Sequence, residues 1–161
     1  MITSLKISNY ALIEYLDISF DIGLTCITGE TGAGKSILLG GLSLVLGKRA
    51  DITLLKDLSK KCVVEAIFYI KNYDLKKFFS DNNLDYFDET ILRREVIPNG
   101  KSRAFINDTP VKVNMLENLS MNLIDIHSQN EKQLMNQESY QFLIVDSFAQ
   151  NNYILNDYKI F

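Results

Sequence analysis

Residues 29–36 read Gly29-Glu30-Thr31-Gly32-Ala33-Gly34-Lys35-Ser36 and match the phosphate-loop pattern G-x-x-x-x-G-K-[ST] at every fixed position. The preceding run, Leu24–Thr28, is rich in β-branched residues and predicts a buried strand. The following run, Ile37–Leu46, is apolar and predicts a helix. Eight residues can match a pattern by chance, and glycines often mark only a turn. A strand before the loop and a helix after it favour nucleotide binding.

The residue types of this loop suit a bound triphosphate. Its glycines, Gly29, Gly32 and Gly34, let the backbone curl and bring N–H groups close to phosphate oxygens. The positive end of the helix that begins near Lys35 faces the same anion. Lys35 can reach the β- and γ-phosphates, and the Ser36 hydroxyl is suited to Mg²⁺. The predicted nucleotide site therefore comprises Gly29, Glu30, Thr31, Gly32, Ala33, Gly34, Lys35 and Ser36.

Composition narrows the class of protein. The 161 residues suffice for one domain with a core, and 47% are hydrophobic. Because the net charge is −3, any DNA contact would need a local basic patch. Cys26 and Cys62 lie in strand-like runs without metal-ligand spacing, so we expect two buried thiols in a reducing compartment. Neither a signal peptide nor a bilayer-length apolar run is seen, and we expect a cytoplasmic protein without membrane contact.

The order of predicted elements indicates one α/β lobe with a β-rich insertion. Two strands precede the loop, whereas a simple mononucleotide kinase usually begins with the loop strand itself. Turn residues Pro98-Asn99-Gly100-Lys101 predict a hairpin between two later strands. The full order is strands Leu5–Ile7 and Ile13–Phe20, then the loop unit, strand Cys62–Ile70, helix Asp74–Asn82, strands Glu89–Ile97, Ser102–Ile106 and Thr109–Val111, helix Asn114–Leu119, strand Leu123–His127, and helix beyond about Glu131.

A second candidate position follows the last predicted strand. Gln129 lies just beyond it, well downstream of the phosphate loop, where a glutamine can reach Mg²⁺ and the attacking water of a triphosphate. An exposed glutamine is more often only a solvated loop residue, and it is the phosphate loop that favours the functional interpretation. His127, the single histidine, is interpreted as structural.

Five segments recur in order in one known family: residues 5–13, 29–39, 46–50, 99–107 and 123–129. Over nearly its whole length the chain resembles the RecN family of bacterial DNA repair proteins, SMC-like members of the ABC ATPase superfamily. The phosphate loop alone is generic, but the run Ser102-Arg103-Ala104-Phe105-Ile106-Asn107 is much more particular. The resemblance implies an α/β, P-loop NTPase head lobe of the ABC/SMC type with an antiparallel β element.

The resemblance also implies a function, ATP binding in a DNA double-strand-break repair and recombination ATPase. Two such heads hold ATP between the phosphate loop of one and the signature motif of the other. By position, residues 29–36 would hold ATP, Ser36 and Gln129 would ligate Mg²⁺, and Gln129 would be the Q-loop glutamine. The family usually reads Gly-Gln-His there, whereas this chain has Ser128-Gln129-Asn130. Implied partners are a C-terminal head lobe, a second head and DNA, at the nucleoid.

Several family motifs do not occur in this chain. No apolar run ending in Asp-Glu follows Gln129, so a Walker B aspartate and a catalytic glutamate are missing, as is a Ser-Gly-Gly signature. Family members continue into a coiled coil and return with those motifs. We therefore expect residues 1–150 to form the amino-terminal half of an ATPase head and residues 151–161 to begin a coiled-coil arm. Such a part should bind ATP weakly without turnover.

Arg49 is the best placed of several basic residues, because it lies just beyond the phosphate-loop helix. It is our candidate for a contact with DNA phosphates when two heads close. The alternative is a solvated charged surface balanced by nearby acids, which the negative net charge favours.

Two other functions stay open. An ATP-binding subunit of a membrane transporter shares the phosphate loop and the Q-loop, and Tyr10 or Tyr15 could stack on its adenine. The hairpin run Arg103-Ala104-Phe105-Ile106-Asn107 argues against that class. The third interpretation is a truncated, non-enzymatic module that packs against partner heads.

Overall fold

The computed structural model describes residues 1–28, 33–126 and 138–149 of the chain. The chain divides into two compact units, Met1–Ile124 and Asp125–Phe161. The predicted arm, residues 151–161, lies outside the described residues, and the predicted boundary at residue 150 stays a prediction.

The first unit is built on a six-stranded antiparallel sheet. Its strands are β1 (Ile2–Tyr10), β2 (Ile13–Ser19), β3 (Cys62–Tyr69), β4 (Glu89–Val96), β5 (Ser102–Ile106) and β6 (Thr109–Val111). Across the sheet they lie in the order β2-β1-β3-β4-β5-β6. The predicted hairpin forms between β4 and β5, with Gly100 in its turn at φ +81°. A second tight turn at Asn107, φ +54°, leads into the edge strand.

Helices pack on one face of this sheet. The phosphate-loop helix α1 (Ala33–Val45) contacts β1, β3 and β4, and α3 (Val113–Ser120) contacts β5. A short helix α2 (Lys76–Asp81) and a 3-10 turn at Ile52–Leu54 complete the unit. The core between helices and sheet holds the buried side chains Leu5, Ile7, Val64, Ala66, Leu92, Ala104 and Ile106. The second unit contains α4 (Glu138–Phe148).

The opposite face of the sheet carries a row of side chains that crosses all six strands. In register the row reads Asp17, Lys6, Glu65, Arg93, Phe105 and Pro110. Charges alternate along it: Lys6 Nζ lies 3.3 Å from Asp17 Oδ2, which raises the pKa of the lysine, and the Arg93 guanidinium lies 4.4 Å from the centre of the Phe105 ring. A slip of one residue would turn these charges toward the core, so the row fixes the register.

Two predicted strands are wrong. Leu24–Thr28 and residues 123–126 have irregular backbone, and His127 lies outside the described residues. A strand exists only with a hydrogen-bonded neighbour, and none of the described strands pairs with these runs. Leu24 is accordingly 98% exposed. Cys26, in the same run, is exposed rather than buried, whereas the prediction of a buried Cys62 is confirmed and burial raises the pKa of its thiol to about 11.

Two glycines of helix α1 face strand β1, and side chains of the strand occupy the space that Cβ atoms there would need. A Cβ atom on Gly40 would lie 2.7 Å from Tyr10 Oη, and one on Gly41 would lie 2.6 Å from Ile7 Cδ1. Both distances are shorter than real Cβ contacts, and Tyr10 and Ile7 are buried. Side chains at these two helix positions would therefore push the helix away from the sheet.

Replacing Gly41 by alanine should destabilise the protein. Ile7 is 0% exposed, so its terminal methyl has no space to move into, and overpacking costs about 1–3 kcal/mol, against about 1 kcal/mol that alanine gains over glycine in a helix. Gly34→Ala in the same helix is the matched control, because a Cβ there meets no described atom within 4 Å and should be tolerated. Urea unfolding followed by circular dichroism measures both variants, and equal stabilities would contradict the close contact.

Candidate nucleotide-binding site

The first turn of α1 holds the described part of the predicted phosphate loop. The helix begins at Ala33, and Gly34, Lys35 and Ser36 are exposed. The first turn contains no acidic residue, so no negative charge within it offsets the positive end of the helix dipole or the charge of Lys35. An exposed helix start with an ammonium and a hydroxyl group suits a phosphate oxygen and one ligand of Mg²⁺.

The other predicted ligands lie outside the described residues. They are Gly29, Glu30, Thr31, Gly32 and Gln129. Magnesium ligation by Ser36 and Gln129, and the whole loop as an ATP site, therefore stay predictions. In the parts of the chain that the structure describes, no group of three or more His, Cys, Asp or Glu side chains could hold a metal ion.

A glycine cap ends α1 against α3. Gly47 adopts φ +111°, its N–H donates to Leu44 O at 3.3 Å, and the Lys48 N–H donates to Ser43 O at 3.0 Å, the paired bonds of a Schellman motif. A Cβ on Gly47 would lie 2.8 Å from Cβ of Glu117, so the turn rests directly on α3.

The segment that follows α1 is tied to the end of β1 through Asn9. Its side-chain amide donates to Asp57 O and Lys60 O, both at 2.9 Å, and its Oδ1 accepts from the Asp57 N–H at 2.7 Å. Asn9 is only 6% exposed and has φ +55°, a backbone conformation that asparagine tolerates better than most residues. One side chain therefore satisfies three backbone groups of the segment.

The predicted DNA contact, Arg49, lies at the far end of α1 and lines a cavity of about 500 Å³. Arg94 lines the same cavity from β4. Our sequence analysis did not single out Arg94, but the alternation of Thr90, Leu92, Arg94 and Val96 is a signal that places an arginine at a core-facing position of the strand. Because α1 has 13 residues, this cavity is about 20 Å along the helix from the phosphate-loop end.

Among the described residues, no helix is both long and apolar enough to cross a membrane.

Comparison with known proteins identifies relatives over nearly the whole chain. A family profile for the AAA domain matches residues 4–159. The DNA repair protein RecN of Vibrio cholerae is 39% identical over 150 residues, which are 92% of this chain and 27% of that protein. RecN of Haemophilus influenzae is 36% identical over 159 residues, 96% of this chain and 28% of that protein. The chain thus spans little more than a quarter of these curated relatives.

Solved structures show the fold. One from a study of ATP-driven dimerisation and DNA-stimulated activation of SMC ATPases has a TM-score of 0.60 at 20% identity and covers 97% of this chain and 98% of that chain. An SMC head bound to the C-terminal winged-helix domain of ScpA also has a TM-score of 0.60, at 22% identity, over 73% of this chain and 38% of that chain. The predicted α/β head-type P-loop fold is confirmed.

Replacing Asn9 by alanine should destabilise the protein by about 2–4 kcal/mol, because three part-buried backbone groups would lose their partner and alanine would be strained at this φ. Asn122→Ala is the matched control, since the Asn122 side chain is exposed and donates one bond, to Asn118 O at 2.9 Å. Thermal unfolding compares the two. A loss for Asn9→Ala no larger than for the control would show that Asn9 does not anchor the segment.

Proposed function

The chain belongs to the AAA-domain family and corresponds to the amino-terminal part of RecN-type, SMC-like proteins, and from this premise we propose that it binds ATP as half of an ATPase head that serves DNA repair. The observation that carries the proposal is the first turn of α1, where Lys35 and Ser36 are exposed at a helix start without acidic residues. This is the charge arrangement that a triphosphate requires. The sequence pattern supplies the rest of the loop, residues 29–32.

Each predicted group has a definite task in this proposal. Lys35 donates to the β- and γ-phosphate oxygens, and the backbone N–H groups of the first turn bind the same anion. The Ser36 hydroxyl and Gln129 would hold Mg²⁺, which would offset phosphate charge. The close packing of Gly40 and Gly41 on β1 positions the helix that carries Lys35 and Ser36.

Hydrolysis of ATP requires catalytic residues that the motifs of this chain do not include. We infer that a C-terminal head lobe supplies the Walker B aspartate and catalytic glutamate, and that a second head supplies the signature motif across the bound ATP. Residues 1–150 would be the amino-terminal half of one head, and residues 151–161 would begin its coiled-coil arm. DNA would meet the assembled heads near Arg49, in the cytoplasm at the nucleoid, in double-strand-break repair and recombination.

The transporter alternative loses one of its two aromatic candidates. Tyr10 packs in the core against Gly40, where burial raises the pKa of its hydroxyl and leaves no face for an adenine. Tyr15 is exposed.

The proposal is tested by titrating the protein with a fluorescent ATP analogue and Mg²⁺. We expect saturable but weak binding without hydrolysis, and a loss of about tenfold or more for Lys35→Ala, because a charge-assisted hydrogen bond is worth about 1.5–3 kcal/mol. Lys77→Ala on the exposed side of α2 is the control for lost charge and should bind like the unchanged protein. Absence of binding, or equal affinity of the two variants, would favour the non-enzymatic module.

A further inference from the structure

Arg94 is a charged side chain on the core-facing side of the sheet. It is 2% exposed, and its neighbours in register on the adjoining strands are Val64 and Ala104. Its Nε and Nη1 atoms have no hydrogen-bond partner among the described residues, and none of the ion pairs there includes it. Burial lowers the pKa of its guanidinium group.

A guanidinium group in this position is costly to bury. An unpaired buried charge destabilises a protein by several kcal/mol, and native structures almost always pair such groups. Among the described residues, the only other buried side-chain nitrogen without a hydrogen-bond partner is Arg93 Nε. That guanidinium group lies over the Phe105 ring, and its Nε is 3.9 Å from Glu95 Oε1. Arg94 has neither compensation, yet it lines a cavity that could bring it a partner.

The walls of this cavity favour an anion. Lys48 and Arg49 line it from the turn after α1, and Glu117 is the single acidic residue among its lining, so the lining carries three cations against one anion. The first residues of α3, Val113 and Asn114, line it as well, and no side chain caps that helix start. Its positive end is therefore directed at the same space as the cations.

We propose that the cavity between the end of α1, β4 and the start of α3 is an oxyanion site that takes a phosphate group, with Arg94 as its buried donor and Arg49 at its entrance. The lining carries more surplus positive charge than a single carboxylate would neutralise. The cavity volume of about 500 Å³ is large enough for a phosphate group and part of the molecule that carries it. The carrier is either a small phosphorylated compound or a nucleic-acid strand.

This site is separate from the phosphate loop. The two lie at opposite ends of α1, about 20 Å apart, so the inference does not depend on ATP binding by Lys35 and Ser36. If binding fails at one site, the other site is unaffected. Binding at each site can be measured in a variant in which the other site is disabled.

The test is a thermal-shift and calorimetric titration with inorganic phosphate at constant ionic strength, balanced with chloride, in the Lys35→Ala protein. We expect a saturable rise in Tm. Adding Arg94→Met should weaken the phosphate affinity by about tenfold or more, while the melting temperature without phosphate stays equal or rises because an unpaired buried charge is removed. Arg94→Met alone should retain its affinity for the ATP analogue.

A second variant, Arg49→Glu, keeps the test decisive if Arg94→Met folds poorly, because Arg49 is exposed and its replacement should not disturb the core. Reversing the charge at this position should also weaken phosphate binding about tenfold. The site is overturned if phosphate raises Tm no more than chloride does. It is also overturned if neither Arg94→Met nor Arg49→Glu reduces the rise in Tm. An equal shift with acetate also overturns it, in favour of an acidic protein segment. Displacement of phosphate by a duplex oligonucleotide supports the site with nucleic acid as the carrier, and retention supports it with a small compound.

Discussion

The close contact between α1 and β1 is the constraint on which both candidate sites depend. Gly40 and Gly41 present no side chain to the strand, so the helix rests on Tyr10 and Ile7 without intervening atoms. The helix α1 joins the two candidate sites. Its start carries Lys35 and Ser36, and its end delivers Arg49 to the cavity in front of Arg94.

Around this contact the backbone polar groups are satisfied by specific side chains. Asn9 binds three backbone groups of the segment after α1, and the Ser120 hydroxyl lies 2.8 Å from Leu46 O, to which it can donate. Arg94 departs from this pattern, because two of its nitrogens lack partners. Functional sites retain groups that are unfavourable for folding alone. A buried charged group without partners, in a fold whose other polar groups are satisfied, is therefore where we expect a ligand.

Local signals in the sequence predicted a large part of the fold. The β4–β5 hairpin was readable because Asn99-Gly100 specifies a tight turn, and α1 because its apolar run is long. The strand expected at Leu24–Thr28 failed because composition indicates an apolar segment but not the neighbour it must pair with. The cavity at Arg94 could not be found, because its walls come from segments distant in sequence that only the sheet order brings together.

A double-mutant cycle between Ile7→Val and Gly41→Ala measures the central contact directly. Ile7→Val deletes Cδ1, the atom that a Cβ on Gly41 would meet at 2.6 Å. If that approach holds α1 in place, Gly41→Ala should cost about 1–2 kcal/mol less in the valine background, because contacting residues couple by about 0.5–3 kcal/mol. If the free-energy changes of the two single variants sum to that of the double variant within about 0.3 kcal/mol, the contact is contradicted, and the placement of both sites with it.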